Sequence, residues 1–340
     1  MIHEGILSTI GNTPLIGLNR VFRENRFRLF AKLEGFNPGG SAKDRPALNI
    51  LEEAIDAGVI RPETVIVESS SGNLGIGLAQ ACRYLGLRFI CVVDSRTTQQ
   101  NIRILKAYGA EVDVVSESDL KGGDFLQARI KRVQTLIQTN RDSFWPNQYA
   151  NLANAASHYK TTMREIAVAL NGEVDYLFCA VSTCGTIRGC AEYVRDYDLK
   201  TKIFAVDAVG SVIFGGQPAK RLIPGHGAAR RPELYQPDLA DQCIHVTDLD
   251  CVVGCHRLVR SEALLVGGSS GGVLMALNYC RHRIPHDATV VLIFHDRGER
   301  YLDTIYSENW VKEHFGAVSS LWRDEAQDQK EEEECVTMTY

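Results

Sequence analysis

Residues 32–47 read KLEGFNPGGSAKDRPA, and this stretch decides the fold of the chain. A short apolar run ends at Glu34, and a turn rich in Asn, Pro and Gly follows, because glycine reaches backbone angles that other residues adopt poorly. Apolar residues at helical spacing then predict a helix from about Asp44, with Gly58 as its stop. The turn therefore places a single lysine, Lys43, at the start of a helix.

Lys43 is a candidate for a reactive amine. The positive end of the helix dipole lies at the N-terminus of a helix, so a cation there is disfavoured and the pKa of the amine should fall. A lysine held as a free amine is what an enzyme that forms a Schiff base needs. Most lysines are instead solvated at the surface, so the assignment depends on the rest of the chain.

Three further motifs carry small polar residues where a helix begins. They read SSSGN at residues 69–73, STCGT at 182–186 and GGSSGG at 267–272. Backbone N–H groups at the start of a helix bind carboxylate and phosphate groups. Taken alone, the first is equally a polar N-cap, the second is a weak signal, and the third is a Gly-rich turn that opens a helix.

Together with the lysine turn, these motifs resemble the cysteine synthase and cystathionine β-synthase family, in the order of that family. The opening GNTPL at 11–15 and the closing DRGERYL at 296–302 match as well, so the resemblance covers roughly residues 5–315. It implies an α/β fold of the tryptophan-synthase-β type (fold type II), with two three-layer α/β/α domains and the active site between them. It also implies pyridoxal 5'-phosphate (PLP) as the cofactor.

The resemblance assigns cofactor contacts to Lys43, Asn73, Ser182, Thr183, Cys184, Gly185, Thr186 and Ser269. Lys43 would bind the cofactor covalently and act as general base, Asn73 would bond the ring oxygen, and Ser269 the pyridine nitrogen. Residues 182–186 would form the phosphate cup, which in the family usually reads Gly-Thr-Gly-Gly-Thr. Ser182 and Cys184 replace two of those glycines here, and this departure resembles the enzymes of 2,3-diaminopropionate biosynthesis.

A second set of residues is predicted to bind substrate: Ser70, Ser71, Gly72, Arg129, Gln148, Tyr149 and Ser182. By resemblance the loop at 69–73 grips the substrate α-carboxylate, Gln148 supports that loop, and Tyr149 lines the pocket. Arg129 is a candidate because a substrate with two carboxylates needs a cation, and arginine binds carboxylates bidentately. A solvated helix face is the alternative for Arg129, and Arg45, Arg230 and Arg231 are competing cations.

The nearest resemblance implies a β-replacement synthase that joins O-phospho-L-serine and L-glutamate through an α-aminoacrylate. The product would be N-(2-amino-2-carboxyethyl)-L-glutamate, with release of phosphate, and it would serve 2,3-diaminopropionate and siderophore (staphyloferrin B type) or peptide antibiotic biosynthesis. The alternative within enzymes is a cysteine synthase that uses O-acetylserine or O-phosphoserine with sulfide. A non-catalytic binding or scaffolding protein is the alternative from another class.

Composition narrows the partners of the 340-residue chain. The net charge of −5 and pI of about 6.0 indicate neither a nucleic-acid footprint nor a membrane surface patch, and no apolar run approaches a membrane span. The N-terminus lacks the features of a signal peptide, and the ten cysteines lie mostly within apolar runs, so we expect a cytoplasmic protein. Cys251 and Cys255 have no partner pair at zinc spacing, so we expect no metal site. Amino-acid substrates and a homodimer follow from the resemblance.

Alternating strands and helices with short loops predict parallel sheets that are covered by helices on both faces. We expect a large PLP-binding domain from residues 1–44 plus 148–320 and a small mobile domain from residues 45–147. A single helix is expected from Ala153 to Leu170. Residues 324–340 are strongly acidic and are predicted to form a disordered tail, with a role as a partner tether left open.

Overall fold

Two β-sheets organise the chain. The computed structural model describes residues 2–22, 26–116 and 125–322, so the predicted acidic tail lies outside the described residues. No helix within those ranges is long and apolar enough to cross a membrane.

Ten strands make up the two sheets. They are β1 (Leu15–Gly17), β2 (Arg28–Leu33), β3 (Val65–Ser69), β4 (Arg88–Asp94), β5 (Glu111–Val115), β6 (Ser143–Phe144), β7 (Tyr176–Ala180), β8 (Lys202–Ala208), β9 (Gln242–Val246) and β10 (Thr289–Phe294). The larger sheet has the order β1-β2-β10-β7-β8-β9, and the smaller has the order β5-β4-β3-β6. All pairs are parallel except β1 with β2.

Helices connect these strands. They are α1 (Asp44–Asp56), α2 (Asn73–Leu85), α3 (Gln99–Ala107), α4 (Phe125–Thr139), α5 (Leu152–Ser157), α6 (Arg164–Ala169), α7 (Gly185–Asp196), α8 (Asp248–Glu262), α9 (Gly268–Cys280) and α10 (Glu308–Phe315). The alternation of strand and helix confirms the predicted α/β fold of the fold type II class.

The central strands of both sheets are buried along their full length. Every residue of β3 and of β10 is buried, as expected when helices cover both faces of a parallel sheet. The described cysteines are buried apart from Cys243, which is half-buried, so the prediction that they act as small apolar residues holds for most of them.

The predicted helix from Ala153 to Leu170 is wrong in one respect, because a π-helix at His158–Met163 interrupts it. The buried His158 imidazole hydrogen-bonds the hydroxyl oxygens of Thr162 (2.9 Å) and Thr186 (3.2 Å). A π-turn changes the direction of the side chains on a helix and is frequent at functional sites. The contact with Thr186 comes from a distant part of the chain, which local periodicity does not show.

The smaller sheet uses residues 65–144, and the larger sheet uses segments on either side of it. The strand Gln242–Val246 at the edge of the larger sheet was not predicted. The division into domains at residues 45 and 147, and the mobility of the smaller part, stay predictions.

A buried network of ion pairs attaches the start of α1 to the larger sheet. The Arg45 guanidinium donates to both Glu34 oxygens (2.6 and 2.7 Å) and to both Glu165 oxygens (2.6 and 2.9 Å). Lys32 donates to Glu165 and to the Thr13 carbonyl, each at 2.6 Å. Because the charges of Lys32, Glu34 and Arg45 are at most 2% exposed, each depends on its partners for compensation.

We expect Arg45→Met to lower the free energy of unfolding by about 3–5 kcal/mol, because it leaves two carboxylates without their shared cation. The measurement is urea denaturation followed by circular dichroism. Arg88→Met is the matched control, since Arg88 and Glu111 form a half-exposed pair that should contribute at most about 1 kcal/mol. Equal losses in the two variants would contradict the role of the buried network.

Candidate active site

A cavity of about 830 Å³ lies where the predicted motifs meet. Its walls include the residues that follow β3, β4, β7 and β10, because parallel strands present their carboxyl ends at one edge of a sheet. Every residue predicted to bind cofactor or substrate lines this cavity: Lys43, Ser70, Ser71, Gly72, Asn73, Arg129, Gln148, Tyr149, Ser182, Thr183, Cys184, Gly185, Thr186 and Ser269. The structure therefore brings together motifs that are more than a hundred residues apart in sequence.

Lys43 lies immediately before α1 and faces the cavity. Its pKa is lowered, as the sequence predicts, but burial is the largest cause rather than the helix dipole. The nearby Cys179, Asp296 and Glu34 oppose this effect and raise the pKa. The environment thus favours the free amine, which is the nucleophilic form.

The turn before Lys43 is held by buried contacts. The Asp44 carboxylate accepts a hydrogen bond from the Gly39 N–H at 2.5 Å, and Gly40 has a φ of +86°, where a side chain would be strained. Burial raises the pKa of Asp44 to about 7. The Ala42 N–H donates to the His295 carbonyl at 2.8 Å. The backbone before Lys43 is therefore hydrogen-bonded to the residue that follows β10, and the contact between Gly39 and Asp44 closes the turn.

The loop at residues 69–73 joins β3 to α2. The Ser70 hydroxyl accepts from the Gly75 N–H at 2.9 Å, and the Gln148 amide donates to the Ser69 carbonyl at 3.3 Å. This second contact attaches Gln148 to the loop, and its role in substrate binding stays a prediction. Under the loop, the buried Glu68 carboxylate accepts hydrogen bonds from the Ser69 N–H (2.7 Å), the Trp145 indole (3.1 Å) and the Gln148 N–H (3.3 Å).

The loop at residues 182–186 joins β7 to α7. Cys184 has a φ of +65°, a conformation that favours glycine, and the side chain is buried at the N-cap of the helix. A Cβ on Gly185 would lie 2.0 Å from the Asn154 amide oxygen, so a glycine is required there. Burial lowers the pKa of His158 well below its usual value, so the neutral imidazole contacts Thr186 without adding charge.

Ser269 lies in the first turn of α9 and faces the cavity. The next residue, Ser270, accepts a hydrogen bond from the His295 N–H at 3.1 Å. The start of α9 is therefore attached to the end of β10, the same point that holds Ala42.

Among the described residues that line the cavity, positive charges outnumber negative ones. The cationic residues are Arg96, Arg129, Lys220, Arg221 and Arg300, and the acidic residues are Asp94 and Asp296. Lys43 is not counted, because its environment favours the free amine. Arg129 is 11% exposed and lies 3.4 Å from Asp94, so the alternative of a solvated helix face is wrong, and Asp94 offsets much of its charge. The excess positive charge suits a ligand with several anionic groups.

The competing cations named from the sequence are not part of the described wall. Arg45 is committed to the buried network with Glu34 and Glu165. Arg231 donates to the Ile213 carbonyl (3.1 Å) and lies over the Tyr235 ring, and Arg230 is likewise not among the lining residues. Four further cations of the wall were not predicted from the sequence: Arg96, Lys220, Arg221 and Arg300. Arg300 belongs to the closing motif at residues 296–302.

The side chains fit the cofactor that the resemblance implies. Thr183, Thr186 and the N-terminus of α7 offer hydroxyl and N–H donors for a phosphate, and Lys43 offers a buried amine. The Asp296 oxygen Oδ1 and the His295 nitrogen Nδ1 are buried with no hydrogen-bond partner in the described structure. Buried polar atoms without partners are rare, so these two atoms favour a polar ligand in the cavity.

Comparison with known proteins agrees with these observations. Residues 6–296 match the family described as pyridoxal-phosphate dependent enzyme. A cysteine synthase from Entamoeba histolytica is 34% identical, with 90% of this chain and 91% of that chain covered and a TM-score of 0.84. An O-acetylserine dependent cystathionine β-synthase from Helicobacter pylori is 30% identical, with 90% and 100% covered and a TM-score of 0.84. An O-ureido-L-serine synthase is 26% identical, with 94% and 98% covered and a TM-score of 0.83.

Glu68 generates a prediction about stability against pH. Burial raises its pKa from 4.5 to about 7, so the folded state holds the proton more tightly and stability falls as the pH rises from about 4.5 to 7. We expect Glu68→Gln to reduce this pH-dependent loss of unfolding free energy by up to about 3 kcal/mol, measured by urea denaturation at pH 5 and pH 7.5.

Glu63→Gln, the same substitution at an exposed position, is the control for this measurement. Part of the loss of unfolding free energy should remain in Glu68→Gln, because burial also raises the pKa of Asp44 to about 7. An unchanged fall in Glu68→Gln would show that Glu68 does not titrate in this range.

Proposed function

We propose that this chain joins O-phospho-L-serine and L-glutamate. The chain belongs to the family of pyridoxal-phosphate-dependent enzymes and catalyses β-substitution in the manner of cysteine synthase. The product is N-(2-amino-2-carboxyethyl)-L-glutamate. The observation that carries the proposal is the excess of cationic side chains in the cavity, with five cations besides Lys43 against two carboxylates among the described lining residues.

PLP, when bound, supplies an electron sink that makes the Cα–H bond of an attached amino acid acidic and lets a group leave from Cβ. The residues proposed to hold it are those at 182–186 for its phosphate, Ser269 for the ring nitrogen and Asn73 for the ring oxygen. A serine at the ring nitrogen is neutral, which suits elimination at Cβ better than transamination.

Lys43 is proposed to bind the cofactor and to move the proton at Cα. Its low pKa, caused by burial, keeps the released amine free to take that proton as general base and to return it after the new bond has formed. The loop at 69–73, supported by Gln148, is proposed to hold the α-carboxylate and so to fix Cα against the amine.

The reaction exchanges one bond at Cβ for another. The Cβ–O bond of O-phosphoserine breaks and phosphate leaves with the bonding electrons. A bond then forms between Cβ and the amino nitrogen of glutamate, and that nitrogen loses a proton. Exclusion of water by closure of residues 45–147 over the larger part is part of the proposal, because water would compete as the nucleophile.

Arg221 is the residue we propose for the phosphate of the donor. One of its N–H groups donates to the His226 carbonyl at 3.4 Å, whereas Nε is buried without a hydrogen bond, and no ion pair to Arg221 occurs among the described residues. Burial lowers the pKa of Arg221, and the charges of Asp207 and Asp248 oppose this shift only in part. An anionic group in the cavity would compensate the guanidinium charge further.

The acceptor brings two more carboxylates into the same cavity. Arg96, Arg129 and Ser182 lie on its walls, and Arg96 is held over the Phe125 ring at 4.0 Å. Sulfide, the acceptor of the alternative cysteine synthase reaction, carries no carboxylate and needs no such cations. The charge of the cavity therefore favours the amino-acid acceptor.

The assembly and the pathway belong to the same proposal. We propose a homodimer, supported by exposed apolar side chains such as Leu152, Val168 and Tyr197, which a second copy would cover. The product is proposed to feed 2,3-diaminopropionate and siderophore biosynthesis, in keeping with the motif departures at Ser182 and Cys184.

The test is product analysis of the PLP-loaded protein with each donor and acceptor. O-Phosphoserine with glutamate should yield phosphate and the glutamate adduct, identified by mass spectrometry. Lys43→Ala is the negative control, since it lacks the amine. Product formed only from O-acetylserine and sulfide would overturn the proposal and make the chain a cysteine synthase.

We expect Arg221→Met to raise KM for O-phosphoserine by about 10–100-fold, because a hydrogen bond to a charged group contributes about 1.5–3 kcal/mol. KM for O-acetylserine, if that donor reacts at all, should change less, since it lacks the phosphate. Arg230→Met is the matched control, because Arg230 lies on the same loop outside the described wall. An equal effect of Arg221→Met on both donors would contradict a contact with phosphate.

A further inference from the structure

The closing segment at residues 295–301 contacts the lysine turn, Asn73 and the start of α9. Through its backbone, His295 accepts from Ala42 at 2.8 Å, and Asp296 accepts from Gly267 at 3.1 Å. The Arg297 N–H donates to the Gly40 carbonyl at 3.3 Å. The segment is thereby fixed against both the lysine turn and the start of α9, so its side chains have well-defined positions beside the cavity.

Two of those side chains bind the amide of Asn73 from opposite ends. The Asp296 oxygen Oδ2 accepts a hydrogen bond from the Asn73 nitrogen Nδ2 at 2.8 Å. Arg300 donates from Nη1 to the Asn73 oxygen Oδ1. Tyr301 also donates to Asp296 Oδ2, at 2.5 Å.

These partners leave one orientation for the amide. An ionised carboxylate only accepts hydrogen bonds, so Asp296 must face the NH₂ group of Asn73. A guanidinium only donates, so Arg300 must face the carbonyl oxygen. If the amide turned by 180°, both contacts would be lost, because its carbonyl oxygen would face the carboxylate and its NH₂ group would face the guanidinium. The orientation therefore follows from the chemistry of the two neighbours.

We propose that Asp296 and Arg300 are positioning residues, which fix the amide of Asn73 so that its remaining N–H, and not its carbonyl oxygen, is offered to the ring oxygen of the cofactor. An N–H donor stabilises negative charge on that oxygen, whereas a carbonyl oxygen would repel it. The proposal rests on the cofactor contact assigned to Asn73 and is independent of which substrates the enzyme uses.

The packing around Asp296 shows that its carboxylate has little freedom. Asp296 is 4% exposed, and a Cβ added to Gly267 would lie 1.9 Å from Oδ1. Glycine at 267 therefore makes room for this carboxylate beside α9. Confinement by packing is what a positioning residue requires, because a side chain that changes rotamer cannot hold its neighbour.

A double-mutant cycle tests the proposal with the cofactor itself as the probe. Asp296→Asn, Asn73→Ala and the double variant are prepared without cofactor and titrated with PLP. Two quantities are measured: the Kd of PLP, and the ratio of the long-wavelength to the short-wavelength absorption band of the bound cofactor. Asp296→Asn and Asn73→Ala should each weaken PLP binding about tenfold, and each should change the band ratio in the same direction.

In the Asn73→Ala background, Asp296→Asn should have no further effect on either quantity, because its influence passes through the amide. Additive effects, or an unchanged band ratio in Asp296→Asn, would overturn the proposal. Glu299→Gln, an acid-to-amide change at an exposed position of the same segment, is the control. Should Asp296→Asn not fold, Arg300→Met replaces it in the cycle, with the same outcomes required. Because no substrate is added, a failure here is distinguishable from a failure of the proposed reaction.

Discussion

Arg45 pairs with two carboxylates, the buried Glu34 and the half-buried Glu165, and this pairing sets where α1 begins. Arg45 lies two residues after Lys43, and its guanidinium bridges Glu34, at the end of β2, and Glu165, on α6. Lys32 and Thr13 complete the charges and hydrogen bonds of the network. A buried charge without its partner is costly, so the network specifies where α1 begins and hence where the Lys43 amine lies.

The cavity follows from that placement and from the topology of the two sheets. Parallel strands deliver the loops at 69–73 and 182–186 to the carboxyl edge, where short helices begin. The segment after β10 then connects several parts of the site, since Asp296 contacts the lysine turn, the start of α9 and Asn73. Lys43, Asn73 and Ser269 therefore lie on elements that this segment joins by hydrogen bonds, which supports precise positioning.

The cationic wall of the cavity is the feature that supports the proposed amino-acid acceptor. Arg129 lies 3.4 Å from Asp94, whereas Arg221 has no ion pair among the described residues, and the Nε atom of each is buried without a hydrogen bond. The difference matters because an arginine that is already paired gains less from an anionic substrate than one whose desolvation is uncompensated. For that reason we propose that the loop that carries Arg221 contacts the phosphate of the donor.

Local chemistry in the sequence determined the α/β class and the strand and helix alternation, and the resemblance to a known family identified the motif residues that line the cavity. Turn residues, helix starts and apolar periodicity act over a few positions, so they are legible without a structure. Only the tertiary structure decided which arginines form buried ion pairs and which line the cavity. Glu165, the partner of Arg45, is 120 residues away in sequence. It also decided the π-helix at His158–Met163, whose contact with Thr186 crosses elements, and the burial that lowers the pKa of Lys43. Pairing and desolvation depend on neighbours from distant segments, and only the folded chain brings those together.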